Sequence, residues 1–583
     1  MKQTSWFRAL ALSLGVLAVA GCAGSNSASA PPSNAPAEAA TAAGPPTPTR
    51  NLPTPAPTIT VGPTATPFPL AAGWWDGAVC YEIFVRSFYD SNGDGIGDLN
   101  GIAQKLDYVN DSDPKTTKDL GANCIWLMPI MESPSYHGYD TTDYYAVNHE
   151  YGTNDDFKTL VAEAHKRGIR VILDLVLNHT SKQSPWFQQA AKDPASPYRD
   201  WYLWSKDKPG YKNPWGEDPW RQSSARNEYY YAIFSVTQPD LNYRNPAVTA
   251  EARKISAFWL NDMGADGFRL DAIKHLIENG PNQQHTPETH AWLRDYRAFL
   301  QQTKPGAFTV GEVFGDPVAT LRTYYPDQLD EYFEFDVAQN IVAAASGGIA
   351  PPFISAVTTA EAVLPYNRWA PFLTNHDQNR VMSTLGNDMG KARIAATALL
   401  TLPGLPFVYY GEEIGMTGQK PDERIRTPMQ WTSDGATGGF TSGKPWEALQ
   451  KDTPTVNVGA QDADPGSLLN LYRALITLHT TNPALRGGAF VPLRTSNGAV
   501  AAFLRQAADE TVLVVLNFSK VAASNVTLDL AKSTLGAGDY QLAPLLGEQA
   551  SAPLTVGDGG DITGSMPWPS LAPQTGYIAT LRR

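Results

Sequence analysis

The chain has 583 residues, 42% hydrophobic and 10% aromatic, with a formal net charge of −13. That length exceeds what one compact core supports, so two or more domains are expected. The acidic balance argues against a nucleic-acid partner, because phosphate recognition needs clustered Lys and Arg, and it suits a neutral substrate.

Lys2 and Arg8 precede an apolar run from Ala9 to Ala20. The run is too short to span a bilayer as a mature helix but has the length of a secretory signal. It ends Leu17-Ala-Val-Ala-Gly-Cys22, which resembles a bacterial lipobox. The resemblance implies loss of residues 1–21, acylation of Cys22 and an extracytoplasmic lipoprotein held to a membrane. Residues 22–72 are dominated by Ala, Pro, Ser and Thr and cannot bury enough surface to fold; they read as a disordered tether.

From Gly73, apolar β-type runs alternate with helical spacing. The runs are Val79–Val85, Ala122–Met128, Ile169–Leu175, Gly267–Leu270, Phe308–Val310, Ala370–Leu373 and Pro406–Tyr410. Asp155 to Arg167 has the spacing of a helix closed by Gly168. Such alternation over some 400 residues means a parallel sheet and favours a (β/α)8 TIM barrel, here 73–485. Between about 179 and 243 the rhythm breaks into Trp, Tyr, Pro and Lys, a small domain inserted after the third strand. From 486 to 583 the segments are short and alternating, an all-β C-terminal domain read as an antiparallel sandwich. Cys80 and Cys124 fall in neighbouring predicted strands; pairing is open, with two buried free thiols the favoured outcome.

Charged residues gather where these strands end, the face on which barrels build their active sites. Asp174 and Asn178-His179 follow the third strand, Arg269, Asp271, Lys274 and His275 the fourth, Glu312 the fifth, and His376-Asp377 the seventh. A single Asp there is an ordinary helix cap, but four such ends are hard to explain as caps. Cleaving an acetal needs one carboxyl to protonate the leaving oxygen and another to attack. Arg269 and Asp271, two apart on a strand, point the same way. Glu312 rises from an apolar strand, which favours a protonated acid.

The segments Asp174-Leu-Val-Leu-Asn-His179, Gly267-Phe-Arg-Leu-Asp271-Ala-Ile-Lys-His275, Gly311-Glu312-Val-Phe and Phe372-Leu-Thr-Asn-His-Asp377 resemble the four signature regions of the α-amylase superfamily, glycoside hydrolase family 13. The resemblance implies Asp271 as nucleophile, Glu312 as acid/base and Asp377 as a third carboxylate. It implies that Tyr139, Asp140, His179, Arg269, Lys274, His275, His376 and Arg380 bind the α-glucan, with Tyr139 stacking under the sugar being cleaved.

Asp90, Asn92, Asp94, Ile96 and Asp98 alternate oxygen donors around Gly95, like half of an EF-hand loop, and the family carries a similar loop that binds calcium. Subfamily signals conflict. Gln238-Pro-Asp-Leu-Asn242 and Arg426-Thr-Pro-Met-Gln-Trp431 resemble oligo-1,6-glucosidases. Lys274-His275 instead resembles the pair that grips reducing-side sugars in α-amylases. Ala272 replaces the Val of α-1,6-preferring enzymes, and Tyr136-His137 the Asp that closes the pocket of exo-acting ones; the whole resembles a lipoprotein α-amylase group between these subfamilies. The expectation is a monomeric endo-α-1,4-glucan hydrolase. The alternatives are an exo-α-glucosidase, a trehalose-forming transglycosylase and a glucan-binding lipoprotein without turnover.

Overall fold

The structure, a computed structural model, describes residues 73–546 and 550–583. Cys22, the signal run and the tether lie outside the described residues.

A curled parallel sheet organises the molecule. Its strands are β1 (Cys80–Ile83), β2 (Cys124–Leu127), β3 (Arg170–Leu175), β4 (Gly267–Leu270), β5 (Phe308–Gly311), β6 (Glu331–Tyr332) and β7 (Phe407–Tyr409). They pair in the order β6-β5-β4-β3-β2-β1-β7. The run predicted at Ala370–Leu373 closes the ring between β6 and β7 through two parallel bridges, Phe333 with Ala370 and Phe372 with Phe407. The eight-fold barrel is therefore complete, although the seventh position never forms a full strand. The two-residue β6 has no signal in the sequence, being too short to show a period.

Strand alternation decides what fills the barrel. Cys80, Cys124, Trp126, Ile172, Phe308, Val310 and Phe407 form one buried cluster. The residues between them, such as Tyr81, Ile125, Val171 and Leu173, join the larger core shared with the helices. On β4 a small residue is obligatory at Gly267, where an added Cβ would lie 2.1 Å from the Phe308 carbonyl oxygen. Cys80 and Cys124 are register partners across β1 and β2, and the structure joins them in a disulfide. The expectation of two free thiols is corrected: pairing in register on adjacent parallel strands brings their Cα atoms to 4.3 Å.

The predicted helix after β2 spans Asn154–Lys166. It starts at a capping box of Thr153 and Asp156 and stops before Gly168, at φ 72°. Residues 179–243 carry a three-stranded antiparallel sheet (Trp204–Ser205, Tyr229–Tyr231, Trp220–Gln222) and the helix Pro185–Lys192.

After the helix Leu468–Thr481, the chain enters an antiparallel domain. It contains β8 (Ala489–Thr495), β9 (Val500–Gln506), β10 (Thr511–Asn517), β11 (Leu528–Leu530), β12 (Gly538–Leu546), β13 (Leu554–Val556), β14 (Ile562–Ser565) and β15 (Thr575–Arg582). All eight pair into one sheet, β13-β12-β15-β10-β9-β8-β11-β14. Its central strands are apolar on both sides for a reason. Ala502, Leu504, Leu513 and Val515 face the domain's own core, while Ala501, Phe503, Val512 and Val514 join the core shared with the barrel. Among the described residues no helix is long and apolar enough to cross a membrane.

Candidate active site

The alternation that fills the barrel also builds its mouth. Above inward-facing Cys80 on β1 comes Glu82; above Ile172 on β3 comes Asp174; above Gly267 on β4 come Arg269 and then Asp271; above Val310 on β5 comes Glu312. Register places Asp174, Arg269 and Val310 side by side. Apolar packing at the bottom thus gives way to a ring of charge at the C-terminal ends.

Arg269, 1% exposed, is the hub of that ring. Its Nη1 donates to both oxygens of Asp174 (2.9 and 3.1 Å) and to Asp271 Oδ1 (2.6 Å), and its Nη2 lies 3.0 Å from Glu312 Oε2. The peptide N–H of Ala272 also donates to Glu312 Oε2, at 3.3 Å. Ala272 has φ 49°, in the left-handed region, because the chain must turn sharply from β4 into the short helix that bears Lys274.

A second hub sits at the other wall. His376 is completely buried, its Nδ1 2.6 Å from Glu82 Oε1 and its Nε2 3.3 Å from Asp377 Oδ2. Tyr139 lies parallel to the His376 ring, centroids 5.5 Å apart, and its hydroxyl reaches both His376 Nε2 (2.6 Å) and Asp174 Oδ2 (2.9 Å). Arg426 Nη2 donates to Asp377 Oδ1 (2.9 Å) and its Nε to the His376 carbonyl (2.9 Å).

The electrostatics follow from burial and these neighbours. Burial pushes the Glu312 carboxyl up, against Arg269, with Asp271 and Asp377 adding to the rise. Burial likewise raises Asp174 to about 7. Burial alone would keep His376 neutral, but Asp377 and Glu82 outweigh it and push the imidazole up to about 10. Asp377 pays a desolvation penalty in the cleft, yet His376 and Arg426 hold it well below the usual carboxylate range. A carboxyl pushed up, Glu312, across from one held down, Asp377, is the kind of division that acid-assisted bond cleavage needs.

Other predicted residues are placed differently. His179 is buried, with Nε2 on the Tyr139 carbonyl at 2.9 Å, so it steadies the loop carrying that ring. Asp140 is buried and accepts from the hydroxyls of Ser133, Ser135 and Ser181. Lys274 binds the Phe314 carbonyl (2.6 Å) and Asp316 (2.7 Å), and His275 is buried with Nδ1 on the Gln283 carbonyl (2.8 Å). Arg380 is a correction. It is 2% exposed, donates to the Tyr410 carbonyl and lies over the Tyr409 and Tyr410 rings, so it packs behind the wall instead of lining the cleft. Arg426, which was not among the expected glucan-binding residues, is the arginine beside Asp377. Glu82 was missed too; its signal was a carboxylate inside an otherwise apolar strand run.

In the Asp90–Asp98 loop, Asp90, Asn92 and Asp94 each accept the N–H two residues on, at 3.0, 2.9 and 2.8 Å. Asp90 also takes the N–H of Gly93 and Gly95 and the Thr441 hydroxyl, and Asp98 takes the Gly101 and Ser91 N–H groups. Among the described residues no three His, Cys, Asp or Glu side chains cluster tightly enough to hold a metal by themselves. The turns leave lone pairs on Asn92 and Asp94, hard oxygens of the type that calcium takes.

The catalytic-domain model of the α-amylase family matches residues 82–488. The chain belongs to the α-amylase family, glycoside hydrolase family 13. It is 39% identical to "Alpha-amylase 3" of Dictyoglomus thermophilum over 455 residues, 77% of this chain and 86% of that one. It is 35% identical to "Trehalose synthase/amylase TreS" of Mycobacterium tuberculosis over 535 residues, 81% and 86% of the two chains. The crystal structure of an α-amylase from H. orenii superposes with a TM-score of 0.75 at 38% identity, covering 87% of this chain and all of that one. This α-amylase-family member is thus a glucan-active enzyme of glycosidase type, and the charged ring lies in its catalytic domain.

Proposed function

We propose that the enzyme is a retaining hydrolase of internal α-1,4 bonds in starch, glycogen or maltodextrins, with Asp271 as nucleophile and Glu312 as acid/base. The supporting observation is the Arg269 guanidinium, whose two terminal nitrogens hold one oxygen each of Asp271 and Glu312. Two carboxyls drawn onto one guanidinium lie close together, which favours the short spacing of retaining enzymes, about 5 Å, over the wider gap that inverting enzymes keep for water.

The Asp271 carboxylate attacks the anomeric carbon as the glycosidic C–O bond breaks, and Glu312 gives its proton to the departing oxygen. Glu312, now ionised, takes a proton from water, whose oxygen displaces Asp271 and restores the configuration. Asp377, fixed by Arg426 and His376, accepts hydrogen bonds from sugar hydroxyls as positive charge develops on the ring. Tyr139, held flat against His376, stacks under that sugar.

Tyr136-His137, where exo-acting relatives place a pocket-closing Asp, supports internal cutting, and Ala272 supports α-1,4 over α-1,6 bonds. Degradation of cross-linked starch without release from a nitrophenyl α-glucoside is expected; the reverse would make the enzyme an exo-acting α-glucosidase. The trehalose synthase/amylase relative favours a second reading, transfer without hydrolysis, and trehalose formed from maltose would establish it. The reading extends to a monomer carrying structural calcium in the Asp90–Asp98 loop and anchored through acylated Cys22. Cys22→Ala should move the protein from the membrane fraction to the soluble one.

A further inference from the structure

Over the barrel mouth, Trp215 is 46% exposed, the one tryptophan among the exposed large apolar side chains of the described residues. Its turn is built to hold it there. Buried Asn213 accepts the N–H groups of Trp215 (3.1 Å) and Glu217 (2.8 Å) through Oδ1 and donates to the Ile233 carbonyl (2.9 Å). Gly216, at φ 88°, completes the reversal. Gln283, also buried, ties the turn to the loop after β4: its Nε2 donates to the Lys212 carbonyl (2.6 Å), and its own carbonyl accepts from His275 (2.8 Å). An aromatic ring left in water on so constrained a turn is preorganised for a ligand.

The rings behind it lead to the cleavage point. Trp215 is 5.3 Å from Phe234 and 5.8 Å from His275, centroid to centroid. Phe234 in turn lies 5.5 Å from both His275 and His179, and His179 is bonded to the Tyr139 carbonyl. The side of the cleft is also defined. Lys274, next to His275, is tied to Phe314 and Asp316 on the loop that follows Glu312. Glu312 in the proposed role protonates the leaving oxygen, so a sugar along this loop belongs to the leaving portion of the chain.

We propose that Trp215, backed by Phe234 and His275, is a stacking platform for a glucosyl unit on the leaving-group side, selecting glucans that continue past the bond being cut. The inference rests on the hydrolase reading above and adds the residue that senses chain length. The apolar face of a pyranose lies on an indole as it lies on Tyr139, while its hydroxyls stay in water.

The test compares wild type, Trp215→Ala and Trp215→Phe on maltoheptaose. Trp215→Ala should raise KM about tenfold and change kcat less than threefold, and Trp215→Phe, which keeps a ring, should recover most of the loss. Equal KM in wild type and Trp215→Ala, or equal losses in Ala and Phe, would overturn the platform. Titrating Glu312→Gln with maltoheptaose gives a second readout. Its tryptophan emission should change on binding, and that change should shrink in Glu312→Gln/Trp215→Phe; an undiminished change would count against the platform. A wild type that cuts neither maltoheptaose nor starch would instead sink the hydrolase reading.

Discussion

The floor of the cleft and its rim are built on opposite plans. On the floor, buried Asp174 and the half-buried Asp271 and Glu312 sit at fixed heights at the ends of adjacent strands and share the guanidinium of buried Arg269. At the rim, Trp215, Phe234 and His275 come from loops far apart in sequence, and polar straps through Asn213 and Gln283 hold them in place. The floor concentrates charge in a water-poor setting, where neighbouring charges bear directly on one another. The rim offers rings and hydrogen bonds whose removal changes affinity. Chemistry and selectivity are thereby separated in space, and substitutions should separate them too.

The largest effect should come from the floor. Asp271→Asn and Glu312→Gln should each lower reducing-end release from starch by about 10³–10⁴ or more, with melting temperatures near that of wild type. A loss below tenfold would break the comparison, because it would make the two carboxyls structural. Removing Glu82 tests the wall beside it. Glu82→Gln leaves the buried His376 without the buried one of its two anionic partners and should cost about 3 kcal/mol of stability. Catalytic rate should fall with it, since His376 no longer holds Asp377 and Tyr139 as firmly.

The same pair sets a pH dependence. His376 is raised to about 10 from 6.5, so its stabilisation is fully present below pH 6.5 and is lost as pH rises through about 10. Wild-type unfolding free energy should decline over that window, and the decline should be smaller in Glu82→Gln. For activity, the raised Glu312 carboxyl keeps its proton above the ordinary glutamate range, so the alkaline limb of kcat/KM should lie above pH 4.5. A limb at the value of a free glutamate would remove Glu312 from the acid role.

Smaller effects belong further out. Lys274→Ala unties the loop after β4 from Phe314 and Asp316, and should raise KM for maltodextrins several-fold with little change in kcat. Chelation should lower the melting temperature by a few degrees, and Asp94→Ala should abolish that difference; identical melting curves with and without chelator would leave the Asp90–Asp98 loop a plain turn.

Residues two apart on a strand share a face whatever surrounds them, so the Arg269-Asp271 pair and the rise of Glu312 above Val310 were readable from local spacing. The runs of β1 to β5 and β7 were legible for the same reason; β9 and β10, read as alternating, are apolar on both faces because a core covers each face. Three-dimensional packing decided the rest. Arg380 and Arg426 are both arginines near charged motifs, and nothing local says that one stacks on Tyr409 and Tyr410 while the other reaches Asp377. Glu82 looks like a lone polar residue in a strand until barrel closure brings His376 to it across 294 positions of sequence. The Trp215 turn is held by Asn213 and tied through Gln283 to a loop some seventy residues away, a link that no local spacing shows. Backbone periodicity is a property of the sequence itself, whereas hydrogen-bond partners across loops are chosen by the fold.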